Sequence, residues 1–320
     1  MTWLLLAFLS ATLLGFYDVF KKKALEGNPV LPVLFLNTLF SSLIFLPVAL
    51  HPAVPFGGWA VQKYVVLKSI IVLSSWLCGY YGMKHLPLTL VGPINATRPV
   101  MVLLGALIIF GERLNLYQWV GVLLAILSFY MLSRSGKKEG IDFRHNRWIL
   151  LTVLAALLGA LSGLYDKFLM AAPEAGGVGL NRMTVQSYFN FYQCAMMAIV
   201  LWVTVKNQQT HPQPLPVREG SSQGTSVYSP LPRREGLGVG LQSLWVLLVS
   251  LFLSAADFAY FYALSLPGAM ISVVSMVRRS SVLVSFFVGA FVFREKNIRS
   301  KVLDLLLVLL GMLFLYLGTR

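Results

Sequence analysis

Ten runs of about 20 mainly apolar residues, joined by short polar and charged segments, leave this 320-residue chain few folds to adopt. A bilayer core about 30 Å thick takes roughly 20 such residues per helix. The runs lie near Thr2 to Phe20, Leu31 to Leu50, Tyr64 to Met83, Leu88 to Phe110, Leu116 to Leu132, Trp148 to Met170, Val185 to Val205, Leu244 to Leu264, Ala269 to Phe293 and Val302 to Leu317. They are too long for barrel strands and lack period-2 alternation, so they are read as helices that satisfy their own backbone hydrogen bonds within lipid. The predicted fold class is an all-α membrane protein of ten transmembrane helices. Composition agrees: 57% of the residues are apolar and only 12% charged. Soluble domains carry about 25% charged residues, so too little polar surface is left to coat a water-soluble globule. A soluble enzyme, a disulfide scaffold and a disordered chain are excluded. Cys78 and Cys194 each lie alone in an apolar run, which indicates neither a disulfide framework nor a metal cluster.

The formal net charge of +14 does not point to nucleic acid, because the basic residues fall mostly between apolar runs. Seventeen of the 26 lie in the loops after the first, third, fifth, seventh and ninth runs, and four on the other side. By the positive-inside rule the first set is cytoplasmic and both termini are outside. Lys21, Lys22 and Lys23 follow the first run and no base precedes it, the reverse of a secretory signal, so it is read as a retained helix.

One stretch, residues 206–240, departs from this pattern. Pro212, Pro214, Pro216, Pro230 and Pro232 stand among Gly, Ser and Gln, and PLPVREGSSQG from Pro214 recurs as PLPRREGLGVG from Pro230. It is expected to be a flexible insertion without a packed core, with a partner-binding tail as the alternative.

A longer repeat organises the rest. LLGFYDVFKKKALE from Leu13 matches LSGLYDKFLMAAPE from Leu161 at an offset of 148, pairing Gly15 with Gly163, Tyr17 with Tyr165, and Asp18 with Asp166. Asn37 falls opposite Asn190. Ser74, Tyr80, Leu86 and Pro87 fall opposite Ser254, Tyr260, Leu266 and Pro267, and Glu112 opposite Glu295. The expected units are residues 1–133 and 148–320, joined by a basic linker at 134–147, with the insertion inside the second. Five spans per unit, an odd number, would insert the second copy upside down. Inverted repeats of this kind characterise secondary transporters, whose site lies near the midplane between the copies.

With this five-plus-five repeat, the Gly-x-Tyr-Asp ends at Asp18 and Asp166, and the Glu-Arg and Glu-Lys turns at Glu112 and Glu295, the chain resembles the EamA-like ten-helix members of the drug/metabolite transporter superfamily. The resemblance covers the whole chain apart from the insertion. It implies transport of small metabolites such as amino acids, sugars, nucleotide sugars or phosphorylated sugars without ATP hydrolysis. It also implies cytoplasmic termini, contrary to the charge count.

Ionisable groups deep in a bilayer are costly, so those that persist there are candidate sites. Arg98 lies mid-way along the fourth run, and Arg278 and Arg279 mid-way along the ninth. Pro93 and Pro99 bracket Asn95 and Arg98, which predicts a bent helix with carbonyls freed toward a cavity; the ninth run has no proline. A guanidinium fork suits carboxylate or phosphate, so Arg98 and one of Arg278 and Arg279 are expected to bind an anionic substrate group. The alternative is permanent pairing with Asp257 or backbone carbonyls. Asp257, mid-way along the eighth run, could equally hold a substrate amine or take up a proton. Trp76, Tyr260, Asn37 and Asn190 are candidate pocket residues. Asp18, Asp166, Tyr17 and Tyr165 are candidate coupling or gating residues, against a bland reading of Asp18 and Asp166 as interfacial carboxylates beside Lys21 and Lys167. Ala11-x-x-x-Gly15 and Gly159-x-x-x-Gly163 read as packing contacts, and Glu112 and Glu295 as interfacial salt bridges with their neighbouring bases.

The function expected is a secondary transporter of a small polar metabolite, an organic anion or zwitterion, in a bacterial inner membrane. Its expected partners are that solute, membrane lipid and a coupling proton or other ion. No cofactor, metal or nucleic acid is expected, and no Walker motif exists to couple ATP. The runner-up is proton-linked efflux of cationic or lipophilic drugs. An intramembrane lipid-modifying enzyme is the alternative from another class, although no Asp-x-x-Asp or His-x-x-x-His spacing appears.

Overall fold

The computed structural model describes residues 2–51, 54–110, 115–137, 145–170, 173–210, 242–266, 277–295 and 298–318. Glu112, Pro267, most of the insertion and part of the basic linker lie outside the described residues. The regular elements described are all helical: α1 (Thr2–Leu25), α2 (Val30–Ala49), α3 (Gly58–His85), α4 (Leu88–Ala96), α5 (Arg98–Phe110), α6 (Leu116–Lys137), α7 (Arg147–Met170), α8 (Arg182–Thr210), α9 (Gln242–Ser265), α10 (Ser281–Val292) and α11 (Ile298–Leu317), with one short 3-10 turn at Pro173–Ala175.

Five of these helices contain stretches long and apolar enough to cross a membrane: α1, α2, α3, α7 and α8. Shorter apolar stretches lie in α6 and α9. Many large apolar side chains face outward, among them Phe291 at 88% exposure and Ile108 at 81%. Water would penalise such a surface and lipid does not. The protein is therefore an integral membrane protein.

The helices pair across the chain. α1 packs along α9, α3 along α7, α2 along α8 and α6 along α11, while α4 and α1 both touch α10 and α5 lies against α7. Hydroxyls stitch two of these seams: Ser10 donates to the Ala256 carbonyl at 2.7 Å, and Ser75 to the Ala155 carbonyl at 2.8 Å. Small residues let the backbones approach. A Cβ at Gly15 would stand 2.8 Å from the Ser281 carbonyl oxygen, so the packing reading of Gly15 holds.

The fourth and ninth runs are both interrupted. α4 stops at Ala96 and α5 starts at Arg98, with Thr97 between them; Pro99 lacks a backbone donor and reinforces the break. In the ninth run the break comes at Ser280, directly after Arg278 and Arg279, without a proline. A shared device accounts for it: Thr97 Oγ1 donates to the Ile94 carbonyl at 2.7 Å and Ser280 Oγ to the Val277 carbonyl at 2.6 Å. A hydroxyl that bonds back three residues competes with the helix ladder. The two residues are 183 positions apart, the same offset as Glu112 and Glu295, so the repeat could have predicted the second break once that register was extended.

Candidate functional site

Both breaks carry arginine. Arg98 is the first residue of α5, and Arg278 and Arg279 precede the turn at Ser280. All three are partly buried, and Arg279 lies within electrostatic reach of Arg98 and Arg278. The fold thus brings together arginines that stand about 180 residues apart in sequence.

Their partners differ. Arg278 Nη2 donates to Asp257 Oδ1 of α9, and its guanidinium lies over the Tyr260 ring, 4.5 Å from the centroid. Gln186 of α8 donates to the other Asp257 oxygen at 3.3 Å. Of the three readings of Asp257, pairing with an arginine is the one seen. Arg98 takes a different position: its Nε is buried and has no hydrogen-bond partner among the described residues. Its guanidinium occupies the notch left by Gly159 on α7, where an added Cβ would stand 2.8 Å from Cζ and 3.1 Å from Nε.

That contact revises the reading of Gly159 as a helix-packing glycine, because its neighbour is the head of Arg98. Gly159→Ala is accordingly expected to push the guanidinium aside. Stability should be unchanged or higher, since the displaced atoms end a flexible side chain and alanine gains about 1 kcal/mol of helix propensity over glycine. A melting curve of the variant beside the wild-type protein checks this prediction.

A second group stands on α1. Lys21 Nζ is 3.5 Å from Asp18 Oδ1 and 3.4 Å from the Tyr17 hydroxyl, and lies between the rings of Tyr17 and Tyr80 at 4.7 and 4.9 Å from their centroids. Asp18 is also within electrostatic reach of Arg98. Tyr17 and Asp18 therefore join the arginine cluster. Their repeat mates do not. Asp166 of α7 pairs with Lys68 of α3, which is only 8% exposed at its side chain and also lies 5.5 Å from the centroid of the Phe189 ring; Tyr165 donates to the Tyr64 carbonyl at 3.3 Å. Lys68, from another helix, is the partner seen for Asp166, and the Lys167 side chain lies outside the described residues.

The remaining candidates are spread through the bundle. Asn37 accepts from Ser250 of α9 at 2.9 Å, and the Asn190 backbone accepts from Ser42 of α2 at 3.0 Å, so both lie in helix seams. Trp76 packs against the main apolar core. Asn95 sits half-buried near the end of α4, two residues before the break at Thr97.

Sequence reasoning missed Lys68, Tyr80 and the reach of Glu295. Lys68 was visible as a base within an apolar run, but its carboxylate was not; Lys21 was read beside Asp18, and its two tyrosine rings were not foreseen. Tyr80 had entered only as the repeat mate of Tyr260, yet it is 1% exposed and its ring lies 4.9 Å from Lys21 Nζ. Glu295 is not simply a surface ion-pairing residue: its carboxylate accepts from the backbone N–H groups of Leu88 and Thr89 at 2.6 and 3.1 Å, and from the Thr89 hydroxyl, at the start of α4.

Among the described residues no group of three or more His, Cys, Asp or Glu is arranged to hold a metal ion. The model of the EamA-like transporter family matches residues 1–134. An uncharacterized transporter of Archaeoglobus fulgidus is 27% identical over 142 residues, 42% of this chain and 49% of that protein. Another, of Pseudomonas aeruginosa, is 30% identical over 126 residues, 36% of this chain and 42% of that protein. The chain thus spans about half the length of these two relatives. A probable 4-amino-4-deoxy-L-arabinose-phosphoundecaprenol flippase subunit ArnE of Pectobacterium atrosepticum is 34% identical over 87 residues, 27% of this chain and 72% of that protein. A solved structure, described only as the crystal structure of a protein, superposes with a TM-score of 0.56 at 14% identity, covering 97% of this chain and 99% of the other, which is a likeness of fold. The chain belongs to the EamA-like transporter family, within the drug/metabolite transporter superfamily.

Proposed function

We propose that the protein is a secondary transporter that carries a small polar metabolite with an anionic group through the bilayer by alternating access. The observation that carries this reading is the Arg98 guanidinium, held at a mid-run helix break with a buried Nε that no described group satisfies. A buried, unsatisfied charged donor is costly, and a ligand oxygen would remove the cost.

Inverted five-helix repeats are part of the proposal, and the helix pairing supports them. Exchanging α1 with α7 and α3 with α9 turns the α1–α9 seam into the α3–α7 seam, while the α2–α8 and α6–α11 seams map onto themselves. Both halves place their helix break beside an arginine. Such symmetry lets the halves exchange conformations and expose one site to either side in turn. The names of the relatives, two transporters and one flippase subunit, favour movement of a solute over its chemical conversion. A bacterial inner membrane and a coupling ion belong to the same reading.

Efflux of cationic drugs is disfavoured by the carboxylates themselves. Asp257 is engaged by Arg278 and Asp18 by Lys21, so neither is free to receive a cation.

In proteoliposomes, counterflow of labelled glutamate and of labelled glucose 6-phosphate tests the proposal. At least one should exchange, and Arg98→Ala should lower that rate by about tenfold or more while the protein remains folded, as expected for loss of a charged hydrogen bond. Equal rates in the variant would remove Arg98 from the site. Protection against heat by tetraphenylphosphonium and by neither anion would favour the efflux reading instead.

A further inference from the structure

We propose that the group bound between the two helix breaks is a dianion of the phosphate-monoester type, gripped by Arg98 and Arg279 together. This rests on the anion-transport reading above and narrows it. The charges around the site do not balance. Four cations converge there, Lys21, Arg98, Arg278 and Arg279, the Arg98 Nε buried without a hydrogen-bond partner, but among the described residues only two carboxylates, Asp18 and Asp257. Lys21 takes Asp18 and Arg278 takes Asp257, which leaves two guanidiniums, one from each half, without a carboxylate hydrogen-bonded to them among the described residues. Arg98 and Arg279 also repel one another in a medium that screens poorly.

The missing charge sets the ligand class. A zwitterion adds no net charge, and a monocarboxylate cancels one guanidinium and leaves the other buried. A single group of charge −2 cancels both. A tetrahedral phosphate presents oxygens in several directions and can receive two forks that approach from different helices. The Tyr80 ring lies beside Lys21, and its buried hydroxyl supplies a further neutral donor in the same region.

Two probes of similar shape separate the charge states. Phenyl phosphate passes from −1 to −2 with a second pKa of about 6, whereas benzenesulfonate keeps a single charge. Binding of each to the full-length protein in detergent should be measured by calorimetry at pH 5 and pH 7.5. Phenyl phosphate should gain about tenfold or more over benzenesulfonate between these pH values. Arg98→Gln and Arg279→Gln should each abolish that gain, whereas Arg98→Lys, which keeps the charge, should retain most of it. Ligand-free melting curves identify any variant that fails to fold, and the wild-type comparison of the two probes stands without variants.

Equal binding of both probes at pH 7.5 would overturn the dianion and leave the anion reading intact. Binding of succinate in place of phenyl phosphate would overturn the phosphate-type head while keeping the double charge. Binding of neither probe, nor of glutamate or succinate, alongside binding of tetraphenylphosphonium would overturn both this inference and the function it rests on.

Discussion

Asp257→Ala is expected to destabilise the protein by about 3 to 5 kcal/mol, the range seen when one partner of a buried ion pair is removed. The pair is well shielded, with 16% of the Asp257 side chain and 18% of the Arg278 side chain exposed. Its loss would leave Arg98, Arg278 and Arg279 together in a low-dielectric region with no carboxylate among the described residues directly bonded to them. Coulomb repulsion that water would screen then acts almost in full. Unfolding in detergent should show the loss, and Asp257→Asn should cost less, because an amide oxygen still accepts a hydrogen bond. Removing both partners, Asp257→Ala with Arg278→Leu, should recover much of the stability, because no orphaned charge remains at that pair. If the double variant is no more stable than the single, the pair is not what holds α9 to the ninth run, and Asp257 acts elsewhere.

The second large effect is expected at Glu295. α10 ends in a turn in which the Glu295 N–H donates to the Ala290 carbonyl at 3.1 Å and Arg294 adopts a left-handed φ of 49°. This is a Schellman-type stop, and it turns Glu295 toward the start of α4. The carboxylate there satisfies two of the free N–H groups that every helix leaves at its first turn, and its charge complements the helix dipole. Lys301 Nζ, itself fully buried, donates to Thr89 Oγ1 at 2.8 Å and ties α11 to the same point. On the other side of the α3–α4 turn, Lys22 donates to the carbonyls of Met83 and Leu86 at 2.6 and 2.7 Å. A carboxylate from beyond α10 and an ammonium from α1 thus hold the turn from both ends. Glu295→Ala would leave the Leu88 and Thr89 donors unpaired where both residues are nearly inaccessible, at a cost of about 3 kcal/mol. Glu295→Gln keeps an acceptor and should cost less than half of that. Because α4 leads directly to the break before Arg98, transport should fall together with stability; a fall in neither would show that α4 is fixed by apolar packing alone.

These effects could not be read from the chain, although much around them could. Hydropathy located the helices because a lipid-exposed backbone must satisfy its own hydrogen bonds, which leaves helices as the answer to runs of that length. Depth within a run identified Arg98, Arg278 and Arg279, because a charge so far from water needs a reason. The prolines at 93 and 99 announced the first break. No proline marks the second, where Ser280 breaks the helix through a hydrogen bond to the Val277 carbonyl; only the 183-residue offset of Glu112 and Glu295 could have pointed to it.

The sequence by itself therefore determined the helical membrane class and the placing of arginines deep within apolar runs. These follow from local periodicity and from the solvent in which the chain must fold. Only the tertiary structure decided who meets whom. Lys68 and Asp166 are 98 residues apart, Leu88 and Glu295 are 207 apart, and Arg98 rests in a notch on α7 made by the absence of a side chain at Gly159. Such pairings depend on how helices cross and rotate against one another, and a helix carries the same apolar signal along its length whichever neighbour it faces.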